Sequence, residues 1–271
     1  MRIGLVGAAQ ALVAGLGAPE EIRAVVAPRT VIQAWPARLP VFAHTEVEYA
    51  LQALAYLEAG LAAASQGCDA LVLNSLSDYG LAALQSAVDL PVVGPAEASL
   101  RFMPSIGPRF SLVTVWPEST NFMPRKMLHA YGAAAHCVRI RNVGTEALLA
   151  GEGRPDGFLK DMQTGQEAIL DRILAQCHAA MAEDDIDAIL LGCTCMSPIA
   201  SRIAARCAIP VVNPLAVAVK TAEMQASLGL RASRRGQGAP RPASLDLLRQ
   251  MIAPVAGAEP ACPVCAVASA A

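Results

Sequence analysis

Two thiols stand one residue apart in the stretch Leu190 to Pro198, "LLGCTCMSP", where a hydrophobic run breaks at a glycine. A cysteine between the end of a buried strand and the start of a helix sits near unpaired backbone N–H groups and the positive end of the helix dipole. Both favour the thiolate and lower its pKa from about 8.5 toward neutrality. Such a thiol can take a proton from carbon or return one. The same N–H groups, with the hydroxyl of Thr194, can hold a carboxylate or enolate oxygen. The bland alternative is a buried cysteine that only packs. Cys195 is read as lining the turn or packing, because a redox pair at this spacing is strained and uncommon.

The remaining cysteines offer less. Cys68, Cys137, Cys177 and Cys207 are scattered through core-like segments, where a free thiol behaves as a small hydrophobe. Cys262 and Cys265 form "CPVC" in an Ala/Pro-rich tail without a second such pair or a nearby histidine, so no metal site is expected. His44, His129, His136 and His178 share no ligand spacing. His44 instead precedes Thr45 and Glu48, a capping-box pattern that marks a helix start.

An internal repeat separates the two thiols of the opening stretch. Asp69 begins "DALVLNSLSDYGLAALQSAVDLPVVGP" and Asp187 begins "DAILLGCTCMSPIASRIAARCAIPVVNP". Each runs through aliphatic residues, a small polar break, a helical stretch and a Pro-Val-Val segment closed by proline. The shared ending is hard to explain by a generic strand–helix–strand pattern, so two related half-domains facing one another are expected. Counting from the paired aspartates, Cys193 falls on Ser75, Gly192 on Asn74 and Thr194 on Leu76. In an open parallel sheet, ligands bind beyond the carboxyl ends of the strands, which is where both turns fall. Ser75 and Cys193 would then approach one cleft from opposite sides.

The elements that must hold these turns alternate along the whole chain. Strands are expected at Ile3–Gly7, Ala24–Gln33, Ala70–Asn74, Val92–Gly94, Phe110–Val115, Cys137–Arg141, Ala188–Gly192 and Val211–Asn213. The clearest helices are Glu46–Ser65, Thr120–Tyr131, Thr164–Ala182 and Pro214–Ser227. Continuous apolar strands between amphipathic helices predict an α/β fold with parallel sheets covered on both faces. The expected organisation is residues 1–100 plus 214–255 as one half-domain, 101–213 as the other, and 256–271 as a flexible tail.

Composition narrows the function classes. In 271 residues, 54% hydrophobic and 16% charged, the chain is core-rich and ordered. A net charge of −2 leaves no footprint for nucleic acid or an anionic membrane. Apolar runs break within about ten residues, short of the roughly 20 a membrane helix needs. The opening "MRIGLVGAAQALVAGLGAPEE" has the outline of a secretion signal, but "RIGLVG" also reads as a buried first strand closing on a glycine. The strand is preferred, and a cytoplasmic location is expected.

With these motifs in order, "GCDALVLNSLSDYGL", "PVVGPAEASL", "RFSLVTVWPEST", "LLGCTCMSPIA" and "IPVVNPLAVAVKTAEM" resemble the aspartate/glutamate/hydantoin racemase superfamily, and its hydantoin racemase branch most. The resemblance covers about Thr45 to Pro242. It implies two Rossmann-like half-domains with the active site in the cleft between them, neither cofactor nor metal, a small-molecule substrate such as a hydantoin, amino acid or carboxylic acid, and a homo-oligomer. In that superfamily two cysteines serve opposite faces of one carbon, and Cys193 matches the second. Hydroxyls at Thr114, Ser119 and Thr120 are implied to reach the substrate, although Ser119 or Thr120 also reads as a helix cap. Asn74, Leu76, Ser77, Thr194 and Cys195 complete the implied binding set.

Two departures from that pattern bear on mechanism. Ser75 stands where the first family cysteine belongs, and its hydroxyl is a far weaker acid than a thiol; Asp78 and Tyr79 are the nearest groups that could assist it. A loop Asp, though, is more often a turn or cap residue and a Tyr more often packing. The first loop reads "VGAAQAL" where the hydantoin branch carries Asn, Thr and Ser. Racemisation or epimerisation beside a carbonyl is therefore the expected activity, with Cys193 as acid/base and Ser75 on the opposite face. An arylmalonate-decarboxylase-like enzyme with one thiol, or a binder without turnover, remain as alternatives.

Overall fold

The computed structural model describes residues 1–7, 20–39, 41–149, 166–233, 235–236 and 238–256. The "VGAAQAL" departure, from residue 8 onward, and the "CPVC" tail lie outside them. In chain order the elements are β1 (Arg2–Val6), α1 (Glu20–Arg23), β2 (Val31–Trp35), α2 (Glu46–Ser65), β3 (Ala70–Leu73), α3 (Leu81–Ala87), β4 (Val92–Val93) and α4 (Pro95–Phe102). They continue with β5 (Phe110–Thr114), α5 (Phe122–Ala130), β6 (Cys137–Asn142), α6 (Glu146–Leu149), α7 (Glu167–Glu183), β7 (Ala188–Leu191), α8 (Ala200–Ala204), β8 (Val211–Val212), α9 (Pro214–Ser227) and α10 (Pro242–Ile252).

The strands form two parallel four-stranded sheets of identical order, β2-β1-β3-β4 and β6-β5-β7-β8. The correspondence extends to single hydrogen bonds. Arg2 N donates to Asp69 Oδ2 at 2.7 Å and Arg109 N to Asp187 Oδ2 at 2.9 Å. Asn74 N donates to Val6 O and Gly192 N to Val113 O, each at 2.7 Å. The paired aspartates thus stand immediately before β3 and β7, each holding an N–H at the entry to the neighbouring strand, Arg2 of β1 and Arg109 just ahead of β5.

Because side chains alternate along a strand, each sheet buries both faces. In the first sheet, Leu71 and Leu73 meet Tyr56 and Ala59 of α2 with Leu84 of α3, while Ile3, Leu5, Ala70 and Val72 meet Leu215, Ala218, Val219 and Ala222 of α9. In the second, Val113, Ile189 and Leu191 pack on Ile169, Leu170 and Ile173 of α7, and Phe110, Leu112 and Leu190 pack towards Leu100 of α4 and Met127 of α5. Each fully buried Leu or Ile in these layers contributes on the order of 2 kcal/mol of transfer free energy.

Helix starts follow local chemistry. Thr45 and Glu48 form the expected capping box, with Thr45 N donating to Glu48 Oε2 at 2.7 Å. Asn213 caps α9 through Leu215 N and Ala216 N, with Pro214 in the first turn. Gly94 has no side chain to do this for α4, and the carboxylate of Asp78 takes over, accepting from Ala96 N at 3.1 Å and Glu97 N at 2.8 Å. A Cβ on Gly94 would lie 2.4 Å from Asp78 Cγ.

Three segments differ from their expected form. Ala24–Gln33 is not one strand: after α1 the chain turns, with Ala24 N donating to Glu20 O, Val25 N to Ile22 O and Thr30 N to Ala27 O, and pairing begins only at Val31. Pro28 has no N–H to offer a ladder, and Glu223 of α9 captures Ala27 N at 2.9 Å. The expected helix at Thr120 starts as a 3-10 turn over Glu118–Thr120, α5 proper beginning at Phe122. Cys193 opens a 3-10 helix, Thr194–Ile199, that contains Pro198 before α8 begins. No helix among the described residues is long and apolar enough to cross a membrane.

Candidate functional site

The carboxyl ends of β3 and β7 deliver the two repeat turns to one cavity, whose wall includes Asn74, Ser75, Leu76, Ser77, Gly192, Cys193, Thr194 and Cys195. Ser75 Oγ accepts a hydrogen bond from Ser77 N at 3.1 Å, and Cys193 Sγ accepts one from Cys195 N at 3.2 Å. Oxygen and sulfur therefore occupy the same place in two copies of one turn, each held by the N–H two residues on. Thr194 Oγ1 donates to Asn74 O at 3.1 Å and ties the turns together.

Supporting contacts fix these turns from behind. Tyr49 and Tyr56 of α2 donate to Ser77 O at 2.8 Å and to Asn74 O at 3.3 Å. Gly192 is required by the approach of β5, since a Cβ there would lie 2.5 Å from Leu112 Cδ2 and 2.6 Å from Thr114 Cβ. On the second half, Asn121 and Asn142 bond each other through both amides, at 2.9 and 3.0 Å, and Asn142 Nδ2 donates to Trp116 O at 2.8 Å. Trp116 then meets Phe42 across the cavity with ring centroids 5.0 Å apart.

Thr114 and Thr120 also line the cavity. Thr114 Oγ1 donates weakly to Gly192 O at 3.4 Å, and Thr120 Oγ1 donates to Pro117 O at 2.8 Å. Ser119 is not among the lining residues; it is exposed and donates to Glu146 Oε2 at 2.9 Å. Trp116 lines the cavity, and so do Phe42, Gln52, Tyr56 and Met123, which sequence reasoning did not single out. Their signal was faint: Tyr49, Gln52 and Tyr56 share one face of α2 at positions i, i+3 and i+7.

Of the two readings of Asp78, cap and helper of Ser75, the structure takes the cap. Its carboxylate caps α4 and accepts from Tyr131 Oη at 2.9 Å. Burial, which outweighs these bonds, raises its pKa to about 7. Tyr79 Oη lies 3.1 Å from Met123 Sδ. Cys195 departs from its expected role too: the structure joins it to Cys193 in a disulfide, so proton transfer by Cys193 requires that bond to be reduced.

The electrostatics of the cavity are defined by what lines it. Among the described lining residues there is no Asp, Glu, His, Lys or Arg; apart from the Ser and Thr hydroxyls, the groups with an acidic proton are Tyr56, Tyr79 and, once their disulfide is reduced, Cys193 and Cys195. Nor does any group of three or more His, Cys, Asp or Glu among the described residues come together as a metal-binding set.

The chain with these two parallel α/β halves matches a known family. The Asp/Glu/hydantoin racemase family model aligns with residues 19–222, and the chain belongs to that family. It is similar to a hydantoin racemase from Rhizobium meliloti, 31% identical over 170 residues, which are 63% of this chain and 65% of the relative. The chain thus matches slightly under two thirds of that relative's length. An allantoin racemase from Klebsiella pneumoniae superposes with a TM-score of 0.74 at 29% identity, over 89% of this chain and 93% of that one. Unliganded arylmalonate decarboxylase shares the fold, with a TM-score of 0.55 at 21% identity over 89% of this chain and 95% of its own.

Proposed function

We propose that the protein is a cofactor-independent racemase or epimerase acting at a carbon made acidic by a neighbouring carbonyl, on a neutral hydantoin-like substrate. The lobes are residues 1–100 with 214–255, and 101–213, and the substrate sits in the cavity between the repeat turns. The observation that carries this reading is the pair of equivalent turns, Ser75 facing Cys193, around a wall whose described residues include no charged side chain. A zwitterion or dicarboxylate would meet no counter-ion in such a wall. An uncharged cyclic imide needs only apolar contact and hydrogen-bonding groups.

In the dithiol form, the Cys193 thiolate removes the proton from the reacting carbon, and the electron pair left behind moves into the adjacent carbonyl to give an enolate. The Cys195 N–H, bonded to Cys193 Sγ, favours the thiolate. The Asn74 amide and turn N–H groups stabilise the enolate oxygen. Return of a proton from the Cys193 face restores the original centre. Return from the opposite face, by way of the Ser75 hydroxyl with its proton replaced from water, inverts it.

A second reading is favoured by Ser75 itself. With oxygen where the repeat would place sulfur, proton delivery is one-sided, as required by a decarboxylase that protonates one face of an enolate. Deuterium exchange tests both readings. Racemisation predicts loss of the α-hydrogen signal of a 5-substituted hydantoin in D₂O under thiol reductant, abolished by Cys193→Ala. Release of carbon dioxide from an arylmalonate, without exchange of the hydantoin, would establish the second. Ligand binding with neither reaction would mark a binder.

A further inference from the structure

We propose that the side-chain carbonyl of Gln52 accepts a hydrogen bond from a ring N–H of the substrate, on the Ser75 side of the cavity; this deepens the hydantoin-like reading and rests on it. Tyr49, Gln52 and Tyr56 present one face of α2 to the Ser75 turn. The two tyrosines place their hydroxyls on the carbonyls of Ser77 and Asn74, at 2.8 and 3.3 Å. Gln52, between them, lines the cavity and is only 7% exposed, yet its Oε1 is buried and has no hydrogen-bond partner among the described residues. Of the three buried polar atoms in that condition, the others belong to Trp35 and Ser99, neither of which lines the cavity.

A buried amide oxygen is costly to leave unpaired, and native chains keep such groups where a ligand, water or ion completes them. Oε1 is purely an acceptor, so the atom that completes it must be a donor. Hydantoin rings carry two N–H groups beside their carbonyls. Carboxylates and malonates at neutral pH offer only acceptor oxygens, which Oε1 would repel. Gln52 thereby offers a ring N–H an acceptor and, as a neutral residue, introduces no charge.

The test compares a 5-substituted hydantoin with its N1-methyl and N3-methyl derivatives, using reduced protein. Binding is read from the fluorescence of Trp116, and α-proton exchange is followed separately. The inference predicts that methylating one of the two nitrogens weakens binding to the natural protein by about tenfold to a hundredfold. Gln52→Leu, which keeps the bulk and removes the acceptor, should erase most of that difference, whereas Gln52→Glu should retain it. Equal weakening of all three ligands by Gln52→Leu would reduce Gln52 to a structural role and overturn the inference. So would a natural protein that binds all three alike, a result that needs no variant to fold. Absence of exchange with the parent hydantoin while N–H discrimination persists would count against the racemase reading and uphold the role of Gln52.

Discussion

Replacing Ser75 by cysteine should convert a lopsided site into a balanced one. Ser75 Oγ and Cys193 Sγ each accept an N–H from two residues on, at 3.1 and 3.2 Å, so a thiol introduced at position 75 meets the same support that Cys193 has. An ordinary thiol with a pKa of about 8.5 is already roughly a quarter ionised at pH 8, before that N–H helps it. A serine hydroxyl has no comparable ionised fraction. A well-placed acid/base group contributes about 10² to 10⁴ in rate, or about 3–5 kcal/mol of barrier. Ser75→Cys should therefore raise racemisation by about a hundredfold or more. The assay is circular dichroism of each enantiomer of a 5-substituted hydantoin under reductant, with exchange in D₂O alongside. The natural protein should exchange one enantiomer much faster than the other, and the variant should bring the two rates together. A folded Ser75→Cys protein that leaves both rates unchanged would refute the placement of position 75 opposite Cys193.

Three further outcomes follow from the geometry. Activity should appear on treatment with a dithiol reductant and fade on reoxidation, because the Cys193–Cys195 bond occupies the proposed acid/base; equal rates in both states would exclude Cys193 from proton transfer. Gly192→Ala should cost about 1–3 kcal/mol in urea denaturation and lower activity, since its Cβ meets Leu112 and Thr114; an unchanged midpoint would contradict the close approach. Asp78 has its pKa raised by burial to about 7 from 3.8, so its contribution is fully present below the lower value and lost as pH rises through the higher. Denaturation between pH 4 and pH 8 should show stability falling by at least about 1 kcal/mol, and Asp78→Asn should flatten that slope.

The sheets were legible because their signals are local. Aliphatic runs ending at Asn74 and Gly192, prolines after the Val-Val strands and the Thr45–Glu48 cap are all written within a few residues, and so is the repeat that pairs the turns. The segment from Ala24 to Thr30 misled because its valines suit a strand, while its turn is held by Glu223 from far along the chain. For Asp78 the loop position allowed either a cap or a helper for Ser75, and partners far along the chain, on α4 and at Tyr131, decide for the cap. Gln52 was hidden among the core-facing residues of α2; only its unpaired oxygen, visible once the cavity is formed, distinguishes it. Ser119 could not be told from Thr120 by type, and one residue of advance along a 3-10 turn separates the exposed hydroxyl from the buried one.

The equivalence of the two turns also bears on how such a site changes over generations. What the backbone asks of position 75 is a small side chain whose terminal atom accepts the Ser77 N–H, and oxygen answers that request as well as sulfur does. The scaffold is therefore blind to which element stands there. A duplicated ancestor with matched halves could exchange one thiol for a hydroxyl at little cost in folding, leaving selection on that position to reactivity alone. Stereochemical outcome, in such an architecture, can drift through a single codon while the shape of the molecule stands still.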